Sequence, residues 1–138
     1  MGYRHTEDEI IAAAAAVVVD HGLGGLTYRK VADRLGISDR MVVYYLPTKT
    51  ALVEAAVVSL SVSLQGLLAE AFGDDRRDAD ELVRSAWPVL TSPDADRVFA
   101  VFFELVGLAS ARTAPYDALA DALLSGWVEW LTERTAGR

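Results

Sequence analysis

Cysteine is absent from the sequence, which excludes disulfide scaffolds, thiolate zinc sites and cysteine nucleophiles. Only two histidines occur, His5 and His21, too few and too far apart for a histidine-rich metal site. No uninterrupted apolar run approaches the ~18 residues that a membrane-spanning helix needs. The longest, Ile10–Val19, follows Glu7, Asp8 and Glu9, where a signal peptide would carry positive charge. No membrane segment is expected, and the implied address is cytoplasmic. Alternating strand patterns are also missing. No nucleophile–base pairing, metal-ligand spacing or phosphate loop stands out, so neither an enzyme nor a cofactor is expected.

What the sequence does have is helix-forming residues and helix punctuation. Its 138 residues are 52% apolar and 24% charged, a globular composition in which about two-thirds of the surface can be buried. The net charge is −7, but it is unevenly distributed. Residues 1–50 carry six bases (Arg4, Arg29, Lys30, Arg34, Arg40 and Lys49) against six acids, whereas residues 51–138 carry seven against fourteen. A neutral module with its bases bunched between residues 29 and 49 is thus joined to an acidic body.

Seven helices are expected. Thr6-x-x-Glu9 forms a capping box for the first, and Gly22 is its left-handed stop. Thr27 caps a second that ends at Gly36. Ser38 caps a third that ends by Leu46, because Pro47 disfavours helix in the residue before it. A fourth runs from about Thr48 to Gly73. Asp78-x-x-Glu81 caps a fifth that Pro88 kinks. Ser92-Pro93 opens a sixth reaching about Arg112. The last starts at Pro115 and frays near Gly137. Short helices give way to long ones near residue 50, so residues 1–50 and 51–138 are expected as separate domains.

Within Tyr28–Tyr45, the stretch YRKVADRLGISDRMVVYY has the spacing of a helix-turn-helix. Ala32 is small where two helices cross, and Gly36 supplies the positive φ of a tight turn. Val42 plugs the wedge between the helices, helped by Val31, Leu35 and Ile37. Capping by Ser38 then leaves Asp39, Arg40, Val43 and Tyr44 on the outward side, which in a helix-turn-helix enters the major groove. An ordinary helical hairpin with a glycine turn is the bland alternative, but both helices are capped and short, and the basic cluster coincides with them.

The first 52 residues resemble the TetR family of bacterial transcription regulators. The resemblance runs through Thr6, Ile10, Ala13, Ala14, Gly22, Leu23 and Thr27, then Val31-Ala32-x-x-Leu35-Gly36-Ile37-Ser38. It closes with Val42-Val43-Tyr44-Tyr45-Leu46-Pro47-Thr48-Lys49-x-x-Leu52. It implies an all-α fold: a three-helix, homeodomain-like DNA-binding head on a helical ligand-binding and dimerisation body. It also implies a repressor released from a palindromic double-stranded operator by a small-molecule effector, acting as a homodimer. Carried over position by position, Thr27 and Lys49 meet phosphates, with Arg29 in the same basic cluster. Ser38 caps the recognition helix. Asp39, Arg40 and Tyr44 face the bases, and Tyr45 stands at the backbone. Two positions depart from the family pattern. Val43 replaces a common tyrosine, exchanging a phosphate hydroxyl for a group that fits a thymine methyl, and Leu46 replaces phenylalanine. The family also usually continues with two further helices, so the body is expected to be shortened.

In the body, Leu60, Leu64, Leu67, Trp87, Val98, Phe99, Phe102, Phe103, Leu119, Leu123, Trp127 and Leu131 are expected as core. The resemblance implies that some of the aromatics line an effector pocket, for which Trp87, Phe99, Phe103, Glu104 and Trp127 are the candidates. Glu104, in the apolar run VFAVFFELVGLA, either pairs with a nearby arginine, reaches solvent or anchors a ligand. Trp127, Val128, Trp130 and Leu131 offer a pairing surface on the last helix. The competing reading is a helical small-molecule-binding or dimerisation protein whose head no longer reads DNA.

Overall fold

The computed structural model describes residues 6–136; Arg4, His5 and Gly137, invoked above, lie outside the described residues. The described residues form α1 (Glu7–His21), α2 (Tyr28–Leu35), α3 (Asp39–Tyr45), α4 (Lys49–Phe72), α5 (Ala79–Leu90), α6 (Pro93–Ser110) and α7 (Tyr116–Arg134), with a 3-10 turn at Leu23–Gly25. The fold is all-α. It divides into two compact units, Met1–Leu60 and Ser61–Arg138, so the division falls inside α4 rather than near residue 50.

Local chemistry sets the helix ends. The Thr6 hydroxyl accepts from Glu9 N at 3.2 Å while the Glu9 carboxylate accepts from Thr6 N at 3.1 Å, closing the capping box reciprocally. Gly22 has the expected positive φ of 78°, but with an extended ψ of 172°, so α1 breaks into the 3-10 turn and not into a left-handed cap. Asp78 and Ser92 cap α5 and α6 by accepting from Glu81 N and Ala95 N. Pro88 lies in the last turn of α5, where the helix is already ending. α6 stops at Ser110, and Arg112 turns the chain with a φ of 59°.

In the first unit, α1 packs on α2 and α2 on α3. Ile10, Ala14, Val17 and Val18 of α1 meet Leu23, Leu26, Val31, Ala32 and Val42 in a core with essentially no exposure. Leu52, Val53, Ala56 and Val57 on α4 are equally buried. α4 is long and apolar enough to cross a membrane by length and composition, but these residues, with Leu64, Leu68 and Phe72, bury a continuous stripe of it in protein core.

In the second unit, α6 packs on α7 and more lightly on α5. Leu64, Leu68 and Phe72 of α4 meet Leu82, Ala86 and Ala95. Half-buried Val98, Phe99, Phe102, Trp127 and Trp130 pack around them. Four of the expected core residues are exposed instead: Leu67, Trp87, Phe103 and Leu131. The reason is helical phase. The i, i+4 stripe on α4 runs Leu64–Leu68–Phe72 and leaves Leu67 beside it, while Val101 and Leu105 form the buried row of α6 and Phe103 falls outside. One long-range tie has no sequence signature. Arg77 pairs backbone to backbone with the end of α7 and the segment after it, donating to Arg134 O at 3.1 Å and accepting from Ala136 N at 2.7 Å.

Candidate functional site

The first unit builds a helix-turn-helix from α2, a tight turn and α3. Thr27 Oγ1 accepts from Lys30 N at 3.1 Å and Ser38 Oγ from Met41 N at 3.3 Å, so both helices start on a side-chain cap. Each hydroxyl keeps a proton to donate elsewhere. Gly36 is left-handed, with φ 66° and ψ 34°, and its N–H closes back on α2. Ile37 N donates to Ala32 O at 3.1 Å, completing the turn. Val42 is fully buried in the wedge.

With Val42 buried, a rotation of about 100° per residue carries Arg40 and Tyr44 to the centre of the opposite face. Tyr44 is 77% exposed and Val43 38% exposed. Met41, which sequence reasoning passed over, is exposed on the flank of the same face. Arg40 is exposed and is the single basic residue of α3. Tyr45 is half-buried and braces Tyr44 edge-on, with ring centroids 5.1 Å apart.

Arg29, Arg34 and Lys49 are each engaged within the unit. Arg29 Nε lies 3.6 Å from Asp39 Oδ1 and its Nη1 lies 3.9 Å from Asp33 Oδ1. That Asp39 oxygen is buried without a hydrogen bond and faces Arg29, whose side chain is otherwise largely exposed and keeps further N–H donors for a phosphate. Arg34 pairs with Asp20. Lys49 Nζ donates to Leu26 O, tying the start of α4 to the segment before α2. An ammonium has three donors, so two remain for a phosphate.

Tyr28 is a second residue that sequence reasoning missed. Its hydroxyl donates to Leu46 O at 2.6 Å, fastening the end of α3 to the start of α2. The two residues stand 18 apart, beyond any local signal. Burial pushes the Tyr28 hydroxyl above its usual pKa. Tyr28→Phe is expected to lower the stability of the head by about 0.5–1.5 kcal/mol at neutral pH. Because the folded state holds the phenolic proton more tightly, the tyrosine's contribution is complete below about pH 10 and fades as pH rises through the raised value. Urea unfolding of both proteins checks this: the stability gap is expected to shrink in alkali, and a gap independent of pH contradicts the role.

In the second unit, Trp87, Phe99 and Trp127 line one cavity of about 430 Å³ between α4, α5, α6 and α7. Phe103 and Glu104 do not line it. Phe103 is 72% exposed and stacks obliquely on Phe99 at 6.3 Å. Glu104 is half-buried and falls on the side of α6 away from Phe99 and Val106. Phe72, Phe102 and Leu105 complete the wall. Trp127 Nε1 donates to the buried Ser61 Oγ at 3.2 Å, so its polar edge is satisfied and its ring faces the cavity. Of the expected pairing surface, Val128 and Leu131 are exposed, whereas Trp127 and Trp130 are half-buried and meet edge-on, with ring centroids 5.6 Å apart.

Residues 10–56 match the family model of the bacterial regulatory proteins, tetR family. The chain is similar in structure to the multidrug binding protein EbrR, solved in complex with imidazole. The TM-score is 0.68 at 25% sequence identity, over 94% of this chain and 69% of that one. No curated protein matches its sequence.

Proposed function

We propose that this chain is a DNA-binding transcription regulator of the TetR family, a reading supported by the tetR-family match over residues 10–56 and the likeness to EbrR, and that it is a repressor released from its operator by a small molecule. The observation that carries the reading is the outward face of α3. A short capped helix, set by the left-handed Gly36, presents Arg40, Val43 and Tyr44 to solvent. A helix so presented fits the major groove, where a guanidinium reads guanine O6 and N7 and a valine packs on a thymine methyl. Thr27, Ser38, Tyr45 and Lys49 position the head on phosphates. Arg29 reaches a phosphate with the guanidinium donors that its contact to Asp39 leaves over, and Asp39 faces the bases beside it.

The second unit supplies the effector site. Its apolar cavity falls within the size range of small-molecule pockets, and the similar EbrR is a multidrug binding protein. Effector and operator then oppose one another through a coupling free energy, each lowering the affinity for the other by the same factor. Release of DNA by a bound effector is the regulatory step, and no catalytic step is assigned to the chain. The site of action is the cytoplasm, where the operator is.

The working species is a homodimer. One head brings a single short helix and few unpaired cations. Modules of that size bury only ~600–1,000 Å² on DNA, seldom enough for tight specific binding. Joining two heads raises affinity by roughly 10²–10⁴ through effective concentration. Exposed Val128 and Leu131 on α7 are offered as the pairing surface. Sedimentation at micromolar concentration is expected to give a dimer, and its binding to a palindromic duplex is expected to weaken steeply with salt. A monomer that binds no duplex at any salt overturns the reading.

A further inference from the structure

We infer that the cavity of the second unit takes an uncharged, apolar fused-ring molecule of two or three rings, and rejects charged molecules of the same shape. The inference rests on reading that cavity as the effector site, and it adds the chemistry of the ligand.

Three observations carry it. The first is size. A dry apolar cavity of about 150 Å³ is enough to hold benzene, and this one is about 430 Å³, nearly three times as large. The second is the lining. Every side chain of the wall is hydrocarbon except the two indoles. The Trp127 indole N–H is already given to Ser61, and Trp87 sits at the rim, 63% exposed. The wall therefore offers the interior no hydrogen-bond donor, acceptor or counter-charge. The third is shape. Phe72, Phe99, Phe102 and Trp127 bring four aromatic rings to one space, with Phe99 and Phe102 nearly perpendicular at 87°, suiting a mixture of stacked and edge-on contact with a planar ring system.

The rejection follows from the same lining. The cavity opens to solvent past the exposed Val83, Trp87 and Leu124, and an ion seated against its wall gives up the hydration on that side with no partner to compensate. Glu104, the acid closest in sequence to the cavity-lining Leu105, lies off the wall. A cation therefore finds no carboxylate there, and an anion finds no arginine.

Equilibrium dialysis of the full chain against three ring-matched probes tests this: 2-methylnaphthalene, the N-methylquinolinium cation and 2-naphthalenesulfonate. The neutral hydrocarbon is expected to bind at one site per chain, and each ion at least about tenfold more weakly. Ala120→Leu, which fills buried space in the wall, is expected to abolish the neutral probe's binding. Should that variant fail to fold, Leu124→Glu changes an exposed residue at the mouth and is expected to weaken the neutral probe by at least about tenfold. Equal or tighter binding of the quinolinium overturns the inference. So does no binding of the hydrocarbon, or weak binding of all three probes that neither variant alters. Duplex binding by the same samples is recorded in parallel. A chain that binds duplex in the absence of probe but takes up no hydrocarbon removes this inference alone, whereas a chain that binds no duplex even without probe removes the regulator reading; release of the duplex by bound hydrocarbon is the result expected of both.

Discussion

Gly36→Val is expected to weaken duplex binding by at least about tenfold while α5, α6 and α7 keep their helicity. The physical cause is the backbone. Gly36 sits at φ 66°, and a Cβ built there meets nothing within 4 Å, so no clash contributes. The left-handed conformation costs an L-residue roughly 1–2 kcal/mol, and a β-branched residue more, because it is an outlier in that region. A unit of this size has only about 3–9 kcal/mol of stability, so the turn relaxes before the core unfolds, and α3 leaves the angle at which it fits a groove. Asparagine tolerates the left-handed region, so Gly36→Asn is expected to keep most of the binding. Duplex titration and circular dichroism of both variants decide it. Equal binding by the valine and asparagine variants would show that the turn does not aim α3.

Arg40→Ala is expected to cost about 1–3 kcal/mol on the preferred duplex and to relax the base preference at one position. Arg40 is the single cation of α3 and stands at the centre of its exposed face. Lys49→Ala is the contrasting variant. It is expected to weaken all duplexes alike and to lower the salt slope by about one, because a phosphate contact carries no sequence information. It also removes the tie to the Leu26 carbonyl, so its unfolding curve is measured beside its binding curve. If Arg40→Ala weakened every sequence equally, Arg40 would be a phosphate contact and the base-reading role would fall.

The head was legible in the sequence because its determinants are local. Caps at Thr6, Thr27 and Ser38 act over three residues, and the Gly36 turn closes over three to five; all four lie where the spacing put them. Contacts between elements were not legible. Nothing in the spacing of Arg29 and Asp39 says that they neutralise each other across the turn, or that Tyr28 reaches the Leu46 carbonyl. The body was read less well for a related reason. Its long helices are apolar on several sides, so periodicity left the buried face ambiguous, and Trp87 and Phe103, expected as core, lie outward. Packing of α5, α6 and α7 selects the face, and Leu82, Ala86 and Leu105 became core by that selection. Two of the five expected pocket residues, Phe103 and Glu104, sit off the cavity on the same account.

The central claim, that α3 of a paired head reads a specific duplex, is tested most directly by selecting bound duplexes from a random pool with the full chain at one fixed, moderate salt concentration. The expected result is enrichment of an inverted repeat whose half-sites lie about one helical turn or more apart, with a guanine in each half that loses its enrichment in Arg40→Ala. A pool that emerges unenriched, retained only in proportion to ionic strength, would contradict it.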